Sequence, residues 1–230
     1  MSFYRLSIVP AFALLAACGS GAPPAAPEAE PSAAADKPVM GPERRIVAFG
    51  DSLFAGYNVA QEASYPARLQ AALRAAGINA QVTNAGVSGD TSAAGRQRLA
   101  FTLDAQSAKP DLVILELGGN DLLRGLSPQE TRANFAAMLD ELKQRGIPVL
   151  LMGMRAPPNY GPEYQAQFDA LYPDLAKQYG AALIPFWLES IYQDQTLFQQ
   201  DRIHPTEEGI EALVSATVEQ VAEALPESGN

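Results

Sequence analysis

Cysteine and histidine are almost missing from this chain, which has one of each in 230 residues. The cysteine is Cys18 and the histidine is His204. A disulfide within the chain and a zinc site of the Cys/His type are excluded, because both need more of these side chains. Thiol catalysis in the body of the protein is excluded as well, since Cys18 lies near the amino terminus. Any reaction that needs an imidazole base must take it from His204.

Basic residues are also scarce. The chain has 16 Lys and Arg against 26 Asp and Glu, which gives a formal net charge of -10 at pH 7. Proteins that bind nucleic acid neutralise phosphates with Lys and Arg, so this composition disfavours a nucleic-acid partner. Adsorption to anionic lipid by charge alone is disfavoured for the same reason. Any attachment to a membrane therefore needs an apolar anchor.

The apolar stretch near the amino terminus is too short to span a bilayer, for which about 20 residues are needed. It runs from Leu6 to Leu15 and follows a single positive charge at Arg5, a pattern typical of a secretory signal peptide. The residues that follow it, Leu15-Ala16-Ala17-Cys18-Gly19, resemble the bacterial lipobox. In that motif the cysteine thiol is acylated and becomes the new amino terminus. The sequence thus predicts a lipid anchor on Cys18.

Three segments follow from this pattern. We expect residues 1–17 to be a lipoprotein signal peptide and residues 18–43 to be the lipidated Cys18 with a Pro/Ala-rich tether, because this stretch has no apolar periodicity. Residues 44–230 are expected to form one globular domain. The predicted location is the bacterial cell envelope, anchored by lipid and facing the periplasm. Without lipidation of Cys18, the protein would be periplasmic or secreted.

Apolar runs rich in β-formers alternate with helical patterns after Arg45. The predicted strands lie at 46–49, 80–83, 112–115, 147–152 and 181–184, and the predicted helices at 65–76, 128–145 and 206–224. The run Leu112-Val113-Ile114-Leu115 is wholly apolar, as expected for a strand that is covered on both faces. Strands that alternate with helices indicate an α/β fold, specifically a three-layer α/β/α sandwich around a parallel sheet.

Polar clusters follow three of these strands, and a fourth precedes the final helix. Ligands bind at the carboxyl ends of the strands in open parallel sheets, so these positions are the candidates for a site. Each cluster alone has the composition of an ordinary turn or helix cap, and the signal lies in their joint placement. The clusters are Gly50-Asp51-Ser52-Leu53, residues 84–90, Gly118-Gly119-Asn120-Asp121 and Asp201-Arg202-Ile203-His204-Pro205.

A serine nucleophile accounts for these residue types. A serine hydroxyl attacks a carbonyl only when a base takes its proton, and His204 is available as that base for Ser52. Asp201 can hold the imidazole in the required tautomer and stabilise the imidazolium that forms. The developing oxyanion needs fixed donors, for which the candidates are the backbone N–H groups of Ser52 and Gly86 and the side-chain amide of Asn120.

The four clusters, in this order, resemble blocks I, II, III and V of the SGNH or GDSL hydrolases, with the S, G, N and H on Ser52, Gly86, Asn120 and His204. They are most similar to the bacterial multifunctional thioesterase I/protease I/lysophospholipase and arylesterase subgroup, as are residues 155–161. The resemblance implies a flavodoxin-like parallel sheet of five strands, a Ser-His-Asp triad, no cofactor and no metal. It also implies hydrolysis of carboxylic esters and thioesters, including acyl or aryl esters and lysophospholipids, through an acyl-enzyme intermediate.

Two other functions stay open at this point. The same four clusters permit a carbohydrate O-deacetylase of the cell envelope, or a catalytically inactive ligand-binding lipoprotein, since a fold alone does not guarantee activity. An acyl-binding groove would favour the ester hydrolase. Its candidate wall contains Leu122, beside Asn120, and the irregular loop that carries Pro158 and Tyr160.

Overall fold

The computed structural model of the protein describes residues 39–227. The predicted signal peptide, Cys18 and most of the predicted tether lie outside the described residues, as do the last three residues of the chain. Within the described range, no helix is both long enough and apolar enough to cross a membrane.

Five parallel strands form one sheet in the order β2-β1-β3-β4-β5. The strands are β1 (Arg44–Gly50), β2 (Ala80–Gly86), β3 (Leu112–Glu116), β4 (Val149–Met152) and β5 (Ala182–Ile184). This order is that of the flavodoxin-like doubly wound folds, in which the chain reverses direction across the sheet between β1 and β3. The predicted fold class is confirmed. The first two strands extend further than predicted, because the residues that precede the turns still pair along β1 and β2.

The described helices are α1 (Ser52–Ala55), α2 (Tyr65–Ala75), α3 (Ser92–Asp104), α4 (Gly119–Leu123), α5 (Pro128–Gln144), α6 (Pro162–Asp169), α7 (Leu171–Tyr179) and α8 (Glu207–Ala224). Short 3-10 helices lie at Gln61–Ala63, Pro158–Tyr160 and Gln195–Leu197. The three predicted helices are present as α2, α5 and α8, each within a residue or so of the expected bounds.

The sequence analysis assigned no helix to the segments of α3, α6 and α7. In α3 the buried face includes the small residues Ser92 and Gly95 beside Leu99 and Leu103, so its apolar periodicity is weak. A glycine is needed at position 95 because α3 packs closely against Leu117 there. A Cβ at this position would lie 2.4 Å from Leu117 Cδ1. Because close packing favours small residues on its buried face, α3 lacks the apolar pattern from which a helix is predicted.

The sheet separates two apolar cores, since alternate residues of each strand point to opposite faces. Ile46 and Ala48 of β1 pack with α2 and α8 in one core, together with the fully buried Trp187. Val47 and Phe49 of the same strand pack with α3, α5 and α7 in the other. This arrangement is the predicted three-layer sandwich, and it places the carboxyl ends of β1 and β3 side by side at the point where the strand order reverses.

Candidate active site

Three side chains from two distant loops meet at the carboxyl end of the sheet. His204 Nε2 lies 2.9 Å from Ser52 Oγ, and His204 Nδ1 lies 2.7 Å from Asp201 Oδ2. Serine, imidazole and carboxylate are therefore connected in line by two hydrogen bonds. This is the geometry in which an imidazole can take the serine proton while the carboxylate fixes its tautomer.

The strand-to-helix turn after β1 sets the position of Ser52. Asp51 is the N-cap of α1 and accepts a hydrogen bond from Leu53 N–H through Oδ1, at 3.0 Å. Ser52 is therefore the first helical residue, and it is only 9% exposed. The four-residue helix ends at Gly56, which adopts a left-handed conformation with φ of 83°. This tight turn presents the hydroxyl at the end of the sheet.

The loop that carries His204 is held by its own hydrogen bonds. Asp201 Oδ1 accepts from the backbone N–H groups of Ile203 and His204, which leaves Oδ2 for the imidazole. The ring of Tyr57 stacks on the imidazole, with 4.2 Å between the ring centres. The direction of the ring is thus fixed on one edge by a carboxylate and on one face by an aromatic side chain.

The electrostatic setting of Asp201 favours its charged form. Partial burial opposes ionisation, but hydrogen bonds from the His204 side chain and from the backbone of His204 and Ile203 outweigh it and lower the pKa of Asp201 below its usual value. Asp201 is therefore a carboxylate at neutral pH. A fixed negative charge at this place stabilises an imidazolium on His204.

The structure corrects one of the predicted oxyanion donors. The N–H of Gly86 donates to Asn84 Oδ1 at 2.9 Å, and Gly86 does not line the cavity next to Ser52. Gly86 is required for packing instead, because a Cβ there would lie 2.3 Å from the backbone nitrogen of Ala55. Gly89, in the same cluster, lines the cavity and has a φ of 84°. The sequence signal for Gly89 is that it is the second glycine in the cluster at residues 84–90, and the motif alone does not distinguish it from Gly86.

Asn120 lies at the start of α4, beside Ser52. Its side-chain amide donates to Asp51 Oδ2 at 2.9 Å and to the carbonyl oxygen of Asp90 at 3.0 Å. Both amide hydrogens are therefore engaged within the protein. To bind an oxyanion, Asn120 must share or release one of these two acceptors.

A cavity of about 420 Å³ opens beside Ser52 and His204. Leu122 and Tyr160, both predicted to contact substrate, are among its lining residues, whereas Pro158 is not and its neighbour Pro157 is. Pro158 is the first residue of the 3-10 helix that ends at Tyr160. Other apolar side chains that line the cavity are Leu123, Met154, Phe186, Leu188, Phe198 and Ile203.

Two buried carboxyl groups lie beneath this site. Asp51 is 2% exposed, and Glu116, at the end of β3, is fully buried. Burial raises the pKa of Asp51 to about 6 and raises the pKa of Glu116 well above its usual value. The sequence analysis did not single out Glu116, because a lone glutamate at the end of an apolar strand carries no motif.

No group of three or more His, Cys, Asp or Glu side chains within residues 39–227 is arranged to hold a metal ion.

Comparison with known proteins gave a consistent set of relatives. Residues 48–212 match the model of the GDSL-like lipase/acylhydrolase family. Over 160 residues, or 70% of this chain, the sequence is 42% identical to esterase TesA of Pseudomonas aeruginosa, with 79% of that protein covered. It is 41% identical over 160 residues, also 70% of this chain, to thioesterase 1/protease 1/lysophospholipase L1 of Escherichia coli K12, with 74% covered. The crystal structure of AlinE4, described as an SGNH-hydrolase family esterase, is 60% identical with a TM-score of 0.69, and the match covers 81% of this chain and 99% of that one.

Proposed function

The chain belongs to the GDSL-like lipase/acylhydrolase family and is an esterase, and from that premise we propose that it hydrolyses carboxylic esters and thioesters through a triad of Ser52, His204 and Asp201. One observation carries the proposal: the 2.9 Å contact between Ser52 Oγ and His204 Nε2, at the mouth of an apolar cavity. The distance is within the reach that proton transfer from a nucleophile to its base requires.

The reaction proceeds in two halves. Ser52 Oγ attacks the carbonyl carbon of the substrate while His204 Nε2 takes the hydroxyl proton, and the imidazolium then returns this proton to the leaving alcohol or thiol. The product of this half is an acyl group on Ser52. In the second half a water molecule loses its proton to His204 and attacks the acyl carbonyl, and Ser52 leaves with the proton. Asp201 stays ionised throughout.

The oxyanion of each tetrahedral intermediate requires donors that are already in place. We assign this role to the backbone N–H groups of Ser52 and Gly89 and to the side-chain amide of Asn120, with Gly89 replacing Gly86. The N–H groups of Ser52 and Gly89 donate to no acceptor in the part of the chain that the structure describes, and both residues line the cavity. Removal of one such donor typically costs about 2.7 to 4 kcal/mol of transition-state stabilisation.

The direct test removes the nucleophile. In protein that begins after Cys18, Ser52→Ala should lower kcat/KM for p-nitrophenyl esters by about 10⁴-fold or more, because the remaining site can bind substrate but cannot form an acyl-enzyme. Thermal unfolding should show that the variant folds. Ser215→Ala, on the exposed face of α8, is the matched control and should keep wild-type activity. Near wild-type turnover by Ser52→Ala would reject the triad, and absence of turnover by the wild type would favour the inactive-lipoprotein alternative.

The lining and the volume of the cavity indicate which esters the protein hydrolyses. Its lining is mostly apolar, and about 420 Å³ can hold more than an acetyl group. We therefore propose acyl and aryl esters, including lysophospholipids, as substrates. Across a panel of p-nitrophenyl esters, kcat/KM should rise from acetyl to octanoyl. Turnover confined to the acetyl ester would support a carbohydrate O-deacetylase instead.

We also propose that the protein is held at the cell envelope by lipid on Cys18, with residues 44–230 as its hydrolase domain. The support is the signal-peptide pattern and the motif that ends at Cys18. The net charge of -10 leaves acylation, rather than charge, as the means of membrane attachment.

A further inference from the structure

The Asp51 and Glu116 carboxyl groups form a buried pair directly below the nucleophile. Asp51 precedes Ser52 in the chain, and Glu116 Oε2 accepts a hydrogen bond from Asp51 N–H at 3.3 Å. The two side chains also lie within hydrogen-bonding reach of each other. Their close approach requires a glycine at position 50, where a Cβ would lie 2.7 Å from Glu116 Oε2. The pair is thus built into the end of β1 and β3.

No cation neutralises this pair within residues 39–227. Arg98 reaches the same end of β1, but its guanidinium donates to the carbonyl oxygen of Gly50 and to Asp90. Tyr172 lies near Glu116, and its hydroxyl donates to the carbonyl oxygen of Leu117. Among the described residues, His204 is the group whose positive charge, when present, acts on Asp51. Two adjacent carboxylates in a buried site are strongly unfavourable, so the pair must hold a proton.

The hydrogen bonds indicate which carboxyl holds the proton. Asp51 is well provided as an acceptor, since Leu53 N–H donates to Oδ1 and Asn120 Nδ2 donates to Oδ2. Glu116 accepts only from Asp51 N–H, and its Oε1 is buried without a partner among the described residues. A carboxylate is favoured where donors converge, and a neutral carboxylic acid where they are missing. The proton therefore belongs on Glu116.

We propose that Glu116 is a positioning residue: a neutral carboxylic acid that donates a hydrogen bond to the Asp51 carboxylate and so holds Ser52 and Asn120 in their places. Asp51 touches both neighbours, because it caps the helix that begins with Ser52 and accepts from the Asn120 amide. The kinetic consequence rests on the proposed triad and oxyanion site. The protonation of Glu116 does not rest on the triad, since it follows from the buried pair of carboxyl groups alone.

The proton is tested first, by a measurement that needs no activity. A glutamate that is neutral in the folded protein and ionised when unfolded disfavours folding increasingly as the pH rises above its ordinary pKa. The unfolding equilibrium constant of the wild type, divided by that of Glu116→Gln, should therefore rise with pH, by up to about tenfold per pH unit between about pH 5 and pH 8. Glu219→Gln, on the exposed face of α8, should give a ratio that stays constant. A constant ratio for Glu116→Gln would overturn the proposal.

Infrared difference spectra provide a second readout of the same proton. At pH 7 the wild type should show the carbonyl stretch of a protonated carboxylic acid, and Glu116→Gln should lack it. Absence of this band from the wild type would overturn the proposal even if every variant were too unstable for the unfolding measurement.

Positioning is tested by kinetics on ester substrates. Glu116→Gln keeps a hydrogen-bond donor and an acceptor, so it should retain kcat within about threefold. Glu116→Leu can neither accept from Asp51 N–H nor donate to the Asp51 carboxylate. It should lose about tenfold or more in kcat, with KM little changed. Equal kcat for the two variants at equal folded fraction would reject the positioning role. Loss of activity in Ser52→Ala is a separate result, so failure of the triad and failure of this inference are distinguishable.

Discussion

At the scale of single residues, the hydrogen bonds that keep Asp201 charged outweigh the effect of its partial burial on its pKa. The side chain of Asp201 is 36% exposed, whereas that of His204 is 15% exposed. Solvent screens part of the attraction between such a carboxylate and an imidazolium, so its main contribution is to fix the tautomer and direction of the ring. The stabilising effect of Asp201 is present above its ordinary pKa and is lost as the pH falls through the lowered pKa of the folded state.

Replacement of this carboxylate should therefore reduce kcat more than stability. Asp201→Asn should lower kcat by about 10²- to 10⁴-fold, because an amide can leave His204 in the wrong tautomer while the loop keeps its shape. Steady-state kinetics at pH 7 to 8 measure the effect. Asp194→Asn is the control, since Asp194 also accepts from a backbone N–H two residues on but does not contact His204. Equal losses in both variants would mean that Asp201 acts only through the loop.

The two glycines of the second polar cluster, Gly86 and Gly89, are required for different reasons. At Gly86 an added methyl group would collide with the backbone of α1. At Gly89 it would meet only the side chain of Arg124, at 3.6 Å, but φ is positive there and disfavours other residues. Gly86 lets β2 approach α1, whereas Gly89 lies in a turn that lines the cavity.

At the scale of elements, α5 supports α4, the short helix that carries Asn120. The helix begins with a capping box, in which Ser127 Oγ accepts from Glu130 N–H and the Glu130 carboxylate accepts from Ser127 N–H. The side-chain and backbone hydrogen bonds from Ser127 lower the pKa of Glu130. Thr131, in the first turn of the same helix, donates to the buried Asp121 next to Asn120. The start of α5 is thus joined to α4 by a buried hydrogen bond.

Loss of this cap should weaken the fold without affecting the chemistry. Ser127→Ala should lower the free energy of unfolding by about 1 kcal/mol, because one backbone N–H of the first turn loses its acceptor. Urea-induced unfolding measures the change, and kcat should stay near the wild-type value. Ser190→Ala, in an exposed turn, should leave the unfolding midpoint unchanged. An unshifted midpoint for Ser127→Ala would show that solvent replaces the cap at no cost.

At the scale of the whole molecule, the strand order brings together residues that are far apart in the chain. Ser52 and His204 are separated by 152 positions and share a hydrogen bond. The sheet order places β1 beside β3, so the loops after these strands converge on one edge. The loop before α8 completes the site, because α8 packs on the same core as β1 and α2. Catalysis therefore depends on the assembly of the entire sandwich.

The proposed attachment to a membrane depends on Cys18, in the segment that precedes this sandwich. Cys18→Ser should move the protein from the membrane fraction to the soluble fraction when it is expressed in a bacterial host, because a serine hydroxyl is not acylated at the lipobox. Fractionation followed by an ester hydrolysis assay measures both location and activity. The specific activity should not change, since Cys18 lies outside the described domain. Membrane retention of the Cys18→Ser variant would contradict the lipid anchor.

The sequence alone determined the fold class, the family and the positions of the four polar clusters. It could do so because strand-helix alternation and residues after strand ends are local patterns, and because a chain with one histidine leaves one choice of base. Only the tertiary structure decided that Gly89 rather than Gly86 lines the cavity, and that Glu116 lies against Asp51. Both depend on which backbone atoms face one another across β1, β2 and β3, and on how deeply a carboxyl is buried. Neither burial nor the direction of an N–H is encoded in the spacing of residues.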